Sequence, residues 1–268
     1  MNRLPPSWRD HADRPADAPP VPGVDEEAFY VPIGDFQGAD YRRNAFAAGT
    51  AEEVDALVAL TGLGAGDTLL DVGCGDARHL RALASRGVVG TGVDVSAGLV
   101  EAGRAAAAAE DVEVELLVGD ARRLDGVLGA RRGTFDVAWS LCQGALGTSP
   151  RADPGVVSGL ARAVRPQGLV VLSFFHALFA ARHLAPGDVL DTVHLTHHQV
   201  SEVHGPDHQR RRFDLWTAAY TVREAARLAT DAGLEVVSVR GVEPGGYGRR
   251  AEGEVGLDDP ELLIVART

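Results

Sequence analysis

The sequence predicts an α/β fold in which a doubly wound, mostly parallel sheet is covered by helices on both faces. Three observations support this prediction. Short apolar runs alternate with amphipathic helical segments from about residue 50 to residue 175. The runs show little polar alternation, which is typical of strands buried on both faces. Glycine or acidic residues follow the first three runs, which indicates a ligand site at the carboxyl ends of the strands.

The elements can be assigned in order along the chain. A first helix starts at Thr50, where Glu53 three residues later predicts a capping box. The next helix-forming segments alternate with strands, and Ser96 is the predicted N-cap of one of them. The predicted strands of this part span 68–72, 88–95, 112–118, 135–141 and 168–175. The predicted helices between them span 77–86, 97–109 and 154–164.

The carboxyl-terminal part predicts one more helix and two strands. The helix spans 221–232 and ends before Gly233, which is typical of a helix C-terminus. Strands at 234–242 and 261–266 follow with no helix between them. We therefore expect this last pair to be antiparallel.

Three segments lie outside the alternating pattern. Residues 1–28 hold six of the 14 prolines and no apolar periodicity, so we expect a disordered or loosely attached arm. Residues 29–268 then form the main domain. Within it, the aromatic-rich residues 29–49 predict an N-terminal flap over the core or a ligand pocket. Residues 186–218, rich in His, Thr and Val, predict an antiparallel cap insertion.

The composition excludes several classes of protein. All 26 basic residues are arginine, so no lysine is present to form a Schiff base or to complete a Walker A loop. The net charge of −12 disfavours nucleic acid as the main partner. No run approaches the roughly 18 apolar residues of a membrane span. Without a signal core, and with two cysteines in unrelated segments, the chain is expected to be cytoplasmic and free of disulfides.

The turn after the first strand predicts a nucleotide-like ligand. Gly73 and Gly75 allow a tight turn and a close approach of the ligand to the backbone. Asp94 comes 19 residues after Gly75, where a carboxylate can accept hydrogen bonds from ribose hydroxyls. Arg78 occupies the third glycine position of a dinucleotide fingerprint, and Asp71 would repel a pyrophosphate. The turn therefore favours a ligand with a cationic end over a dinucleotide.

Three further segments are placed at the same edge of the sheet. Asp120 and Ala121 follow the third strand, where an acid can accept a hydrogen bond from an adenine amine. Leu141 and Gln143 follow the fourth strand. Residues 165–168 form the predicted turn into the fifth strand.

In this order, the segments resemble the class I S-adenosylmethionine-dependent methyltransferases. LLDVGCGDARH resembles their motif I, GVDVS the acidic loop after strand two, GDARRL the adenine loop and FDVAWSLCQGALG motif IV. LARAVRPQGLVVLSF resembles the strand-five region, and YTVREAARLATDAGLEVVSV the sixth helix and strand. The resemblance covers roughly residues 50–268. It departs at Ala77, which replaces a glycine, and at Pro166-Gln167-Gly168, which replaces Pro-Gly-Gly.

The resemblance implies a Rossmann-like seven-stranded sheet with a reversed last strand. It also implies that the chain binds S-adenosylmethionine and releases S-adenosylhomocysteine. The glycine turn would hold the methionine part, Asp94 the ribose, Asp120 with Ala121 the adenine, and Leu141 the space beside the sulfonium. The residues predicted to bind the cofactor are Asp71, Gly73, Cys74, Gly75, Asp94, Val95, Asp120, Ala121, Leu141 and Tyr41.

The acceptor is less sharply defined by the sequence. We expect a small molecule that is methylated on oxygen or nitrogen by in-line displacement, for which positioning supplies much of the rate. His176 is the predicted general base, and Tyr30, Gln143 and His176 are the predicted substrate-binding residues. The stretch after strand four lacks the Asn/Asp-Pro-Pro-Tyr/Phe sequence of nucleobase amino-methyltransferases. No metal is expected, because the histidines of 194–208 match no standard zinc spacing.

Other functions stay open at this point. They are a binding protein that holds S-adenosylmethionine without turnover, a nicotinamide oxidoreductase on a related fold, and a protein or RNA methyltransferase. The sequence also leaves the oligomeric state open, with a homodimer as one of the states considered.

Overall fold

The central sheet is built from strands whose spatial order differs from their order in the chain. The computed structural model describes residues 30–43, 49–142, 144–148 and 151–268, so the arm predicted at 1–28 lies outside the described residues. Within these ranges the strands are β1 (Thr68–Val72), β2 (Val89–Asp94), β3 (Glu115–Val118), β4 (Phe135–Ser140), β5 (Val164–His176), β6 (Val189–Asp191), β7 (Thr196–His204), β8 (Arg210–Tyr220), β9 (Glu235–Val242) and β10 (Glu261–Arg267).

The strand pairing confirms the predicted doubly wound sheet. Strands β3, β2, β1, β4 and β5 lie side by side in that order and are parallel. Strand β10 is antiparallel to both β5 and β9. The order β3-β2-β1-β4-β5-β10-β9 is therefore the predicted seven-stranded sheet with a reversed last strand, because β10 is the last strand of the chain.

Strands β6, β7 and β8 form the antiparallel extension that the sequence predicts after strand five. Strand β7 pairs with β6 and along its whole length with β8. Strand β8 also pairs in parallel with Phe175 and His176, beyond the last β5 residue that pairs with β4. The extension thus continues the sheet at the carboxyl end of β5, next to the edge where ligands bind in such folds.

Eight α-helices in the described residues surround the sheet. The predicted helices are confirmed within a few residues, whereas α1, α5 and α7 were not predicted because they are short. The helices are α1 (Tyr30–Gln37), α2 (Thr50–Thr61), α3 (Arg78–Ala84), α4 (Ala97–Ala109), α5 (Leu124–Leu128), α6 (Asp153–Ala163), α7 (Ala177–Arg182) and α8 (Val222–Asp231). No described helix is long and apolar enough to cross a membrane.

The core consists of one apolar layer on each face of the sheet. Leu70 and Leu172 belong to the layer that contains α5, α6 and α8. Their neighbours Leu69 and Val171 point to the opposite face, where α2, α3 and α4 pack. Both layers are fully buried at these strands, which explains why the sequence shows continuous apolar runs there.

One local prediction was wrong. Thr50 does not form a capping box, because Glu53 is buried and accepts hydrogen bonds from Arg78 and Gly245 instead. The predicted turn at 165–168 falls within the range of β5, Val164–His176. Its four residues are skipped in the register with β4, which passes from Val164 directly to Leu169, and Gln167 has the positive φ (66°) of a turn residue.

Candidate functional site

A cavity of about 370 Å³ lies at the carboxyl ends of β1, β2 and β4. Its volume is within the range of about 300–1,000 Å³ that is usual for small-molecule sites. Its described lining residues come from the N-terminal segment, the turns after these strands, the β7–β8 hairpin and the start of β10. They are Tyr30, Ile33, Gly34, Gln37, Tyr41, Gly73, Gly75, Asp94, Val95, Ser96, Leu99, Cys142, Gly144, Gln199, Ser201, Glu202, Val203, Leu215, Pro244 and Glu261.

The turn after β1 can only be built with glycine. Gly73 has φ 77° and Gly75 has φ 55°, both in the left-handed region. A Cβ atom on Gly73 would lie 2.2 Å from the backbone carbon of Gly144, which belongs to the loop after β4. A Cβ atom on Gly75 would lie 3.2 Å from Cε1 of Tyr41. The turn is therefore held between the β4 loop and the Tyr41 ring.

Asp94 joins the turns that follow β1 and β2. The Gly75 amide donates to Asp94 Oδ2 at 2.8 Å, and the Ser96 amide donates to Asp94 Oδ1 at 2.9 Å. Burial raises the pKa of Asp94, and these backbone hydrogen bonds oppose that shift. Because a carboxylate offers about four acceptor positions, both oxygens can still accept hydrogen bonds from a ligand in the cavity.

The N-terminal segment, formed by α1 and a short 3-10 helix (Gly38–Arg43), packs on two other parts of the site. Asp35 Oδ1 accepts hydrogen bonds from Ser96 Oγ at 2.7 Å and from the Gly98 amide at 2.9 Å. It therefore adds a negative charge at the N-terminus of α4, which favours that helix. On the other side, the ring of Phe36 lies 5.7 Å from that of Phe213 in β8.

A buried ion pair lies behind the glycine turn. Arg78 donates to Glu53 Oε2 at 2.5 Å, and Glu53 Oε2 also lies 2.8 Å from His79 Nε2. Burial alone would raise the pKa of Glu53, but His79 and Arg78 lower it below its ordinary value. Arg78 also donates to the Cys142 thiol sulfur at 3.3 Å. The pair thus fixes α2, α3 and the β4 loop, a role that the sequence analysis missed.

Glu261 is the buried acid of the cavity wall. Glu261 is 3% exposed, and the side chains of Ser173 and Tyr247 hydrogen-bond to its carboxyl group. Its Oε2 atom has no hydrogen-bond partner in the part of the chain that the structure describes. Burial raises the pKa of Glu261 to about 7, against these two hydrogen bonds. The sequence signal was present, because Glu261 is an acid in the otherwise apolar strand run 261–266.

Asp71 is a second buried acid, directly before the glycine turn. It is 2% exposed, and burial raises its pKa to about 7. A side-chain hydrogen bond with Trp139 opposes this shift. Asp71 does not line the cavity itself, but it lies two residues before the lining residue Gly73.

Several predicted site residues lie near the cavity without lining it. Cys74 and Leu141 are buried in the core. Asp120 accepts hydrogen bonds from the Arg122 guanidinium group and amide. Ala121 packs against the other apolar layer. The roles of these residues in cofactor binding stay predictions, and Gln143 lies outside the described residues.

His176 is the last residue of β5 and is buried. Its Nδ1 atom lies 3.0 Å from the Asp259 carbonyl oxygen, and its amide donates to the Pro260 carbonyl. It is not a lining residue of the cavity. Two histidines of β7 each pair with a single carboxylate, His197 with Asp188 and His198 with Asp214. No group of three or more metal-ligating side chains lies within the described residues.

Comparison with known proteins agrees with this geometry. Residues 69–168 match a family of methyltransferase domains. The fold resembles the CcbJ methyltransferase from Streptomyces caelestis, with a TM-score of 0.69 and 21% identity over 88% of this chain and 98% of that one. It also resembles an S-adenosylmethionine-dependent methyltransferase from Clostridium acetobutylicum, with a TM-score of 0.64 and 12% identity over 81% and 91% of the two chains.

Another structural relative carries a different activity. The [4+2]-cyclase SpnF aligns with a TM-score of 0.56 and 18% identity, over 81% of this chain and 80% of that one. No curated protein matches the sequence significantly. Because all these identities are low, the structural likenesses define the fold but not the reaction. The reaction has to be inferred from the residues of the site.

Residues 69–168 thus match a methyltransferase domain, and the fold of the chain is the Rossmann-like fold seen in S-adenosylmethionine-dependent methyltransferases of known structure. The residues present fit the cofactor. The turn at Gly73 and Gly75 forms a cradle that side chains would fill.

Proposed function

We propose that this protein transfers a methyl group from S-adenosylmethionine to an oxygen or nitrogen atom of a small molecule. The observation that carries the proposal is the continuity of the cavity. One cavity joins the glycine turn and Asp94 to side chains of the β7–β8 hairpin and to Glu261. A cofactor and a small acceptor bound there would be held in contact, which is the main requirement of an in-line displacement.

One wall of the cavity is suited to the cofactor. This cofactor wall consists of Gly73, Gly75, Asp94, Val95 and Ser96. The amides of the turn would hold the charged methionine part, while the buried Asp71 carboxyl group would act on its positive charge without touching it. Asp94 would accept hydrogen bonds from the ribose hydroxyls. Following the family resemblance, we assign the adenine to Asp120 and Ala121. When bound, S-adenosylmethionine supplies an electrophilic methyl carbon.

The opposite wall is suited to the acceptor. This acceptor wall consists of Cys142, Gln199, Leu215, Pro244 and Glu261, and Tyr30 of the N-terminal segment lines the cavity as well. Leu215 and Pro244 would exclude water from the reacting atoms, whereas Gln199 and Glu261 would orient the acceptor by hydrogen bonds. In this proposal residues 29–49 act as a flap and residues 186–218 as a cap insertion.

Titration calorimetry tests the proposal first at the level of binding. We expect S-adenosylhomocysteine and S-adenosylmethionine to bind, and NAD to bind far more weakly. Tight NAD binding without S-adenosylmethionine binding would overturn the assignment in favour of an oxidoreductase.

The second test is the release of S-adenosylhomocysteine from labelled S-adenosylmethionine with a panel of small alcohols, phenols and amines, followed by mass spectrometry. Methylated product from any of them supports the proposal. Cofactor binding without transfer to any member of the panel would instead identify a non-catalytic binding protein.

A further inference from the structure

Glu261 is a buried acid at the start of the terminal strand, and one oxygen of its carboxyl group lacks a hydrogen-bond partner among the described residues. It is the first residue of β10 and lies opposite Phe175 at the carboxyl end of β5. Because β10 runs antiparallel to β5, its start lies at the edge of the sheet where the parallel strands end. A residue of the terminal strand is thereby brought to the cavity. Its buried Oε2 lacks a partner among the described residues, and a buried acceptor left unsatisfied is costly.

The charges of the cavity wall leave Glu261 available to a ligand. Among the described lining residues the acids are Asp94, Glu202 and Glu261, and none is arginine or histidine. Glu202 is exposed and pairs with Arg210, with 3.0 Å between the nitrogen and oxygen atoms. Asp94 accepts two backbone hydrogen bonds. The described wall therefore has an acidic character, and it favours a ligand that carries positive charge.

The groups that surround Glu261 supply no compensating cation. Ser173 in β5 and Tyr247 in the loop after β9 donate neutral hydrogen bonds, and the Cys142 thiol lies 3.0 Å from the Tyr247 hydroxyl oxygen. Arg78 of α3 is a cation that lowers the pKa of Glu261, but it is bound to Glu53 of α2. Within that ion pair, Glu53 raises the pKa of Glu261 and Arg78 lowers it, so the two effects oppose each other.

We propose that Glu261 binds a basic amine acceptor and takes the proton from its nitrogen before methyl transfer. This inference rests on the proposed function and narrows its acceptor from oxygen or nitrogen to amine nitrogen. It also replaces His176, which does not line the cavity, as the base.

The proposed step balances in atoms and charge. An alkylammonium group enters, and Glu261 accepts one of its protons, which frees the nitrogen lone pair. The nitrogen–carbon bond to the methyl group forms as the sulfur–carbon bond of S-adenosylmethionine breaks. The methylated ammonium and neutral S-adenosylhomocysteine leave, and Glu261 returns its proton to solvent. A base whose pKa lies near the working pH suits this transfer, and burial raises the pKa of Glu261 to about 7.

Binding to the complex with S-adenosylhomocysteine gives a test without turnover. The probes are benzylamine, piperidine and tyramine, each paired with the alcohol or phenol of nearest shape: benzyl alcohol, tetrahydropyran-4-ol and 4-ethylphenol. We expect the wild-type complex to bind amines better than their partners, and Glu261→Gln to bind them at least 10-fold more weakly. Asp153→Asn is the matched control, because Asp153 is buried and has an unpartnered oxygen but does not line the cavity.

Turnover gives the second readout. Glu261→Gln should lower kcat/KM for an amine by about 100-fold or more and remove the acidic limb of its pH profile, whereas Asp153→Asn should keep both. Methylation of the alcohols alone, binding of no amine in the panel, or an unchanged pH profile in Glu261→Gln overturns the inference. Failure of S-adenosylhomocysteine to bind would instead overturn the proposed function itself.

Discussion

The cofactor wall and the acceptor wall of the same cavity are built in different ways. The cofactor wall uses short turns between residues 73 and 96, where each strand leads directly into a helix. The acceptor wall gathers single residues from the β4 loop, the hairpin, the loop after β9 and the start of β10. The first is therefore specified by local sequence, whereas the second exists only once the terminal strand is paired. The following predictions test that contrast.

The largest effect is expected where the cofactor wall meets the β4 loop. Gly73→Ala should destabilise the fold by about 2–5 kcal/mol, because it combines overpacking with a left-handed backbone. Gly126→Ala is the matched control. Gly126 lies inside α5, and a Cβ atom added there would meet no atom within 4 Å, so alanine should be neutral or stabilise by about 0.5 kcal/mol. Denaturant unfolding measures both, and equal midpoints would contradict the close approach at Gly73.

In the acceptor wall we expect a substitution that stabilises the protein, whereas Gly73→Ala in the cofactor wall destabilises it. Burial raises the pKa of Glu261 from 4.5 to about 7, so the folded state keeps a proton that the unfolded chain loses between these values. Stability falls as pH rises through this window, and the full cost of about 3 kcal/mol is present above pH 7. Glu261→Gln should therefore stabilise the protein at pH 8 and have little effect at pH 4. Thermal unfolding at both pH values checks this, and a loss of stability at pH 8 would refute it.

Asp94→Ala should weaken S-adenosylhomocysteine binding by about 100-fold, because the two ribose hydroxyls would lose the charged carboxylate to which we propose they donate. Asp120→Ala should cost only a few-fold, since its carboxylate is paired with Arg122. Calorimetry with each variant, together with its unfolding curve, separates lost contacts from lost structure. An unchanged affinity in Asp94→Ala would show that the ribose does not bind at this wall.

The smallest effect is expected at the junction of the N-terminal segment with α4. Asp35→Ala should cost about 1 kcal/mol, because Ser96 Oγ and the Gly98 amide lose an acceptor at the helix N-terminus. Asp55→Ala removes an exposed ion pair with Arg86 and should cost less. Chemical denaturation measures the two variants, and an equal cost for both would argue against helix capping by Asp35.

The two walls also differ in how far the sequence predicts them. Gly73, Gly75 and Asp94 could be found because strand, turn and helix signals lie next to each other in the chain. Glu53 could not, since a local rule assigned it to a capping box while its partners Arg78 and Gly245 lie far away in sequence. Glu261 stands out as the acid of an apolar strand run. Its place at the cavity, however, depends on the pairing of β10 with β5, which no local pattern encodes.

The bonds from Asp35 to the start of α4 have a consequence for binding. Asp94, which we propose binds the ribose, and the residues that anchor α1 belong to one short stretch, from Asp94 to Gly98. We therefore expect the docking of α1 and the occupancy of the cavity to be coupled, so that each favours the other by the same factor. Amide protons of α1 should exchange with deuterium more slowly once S-adenosylhomocysteine is bound.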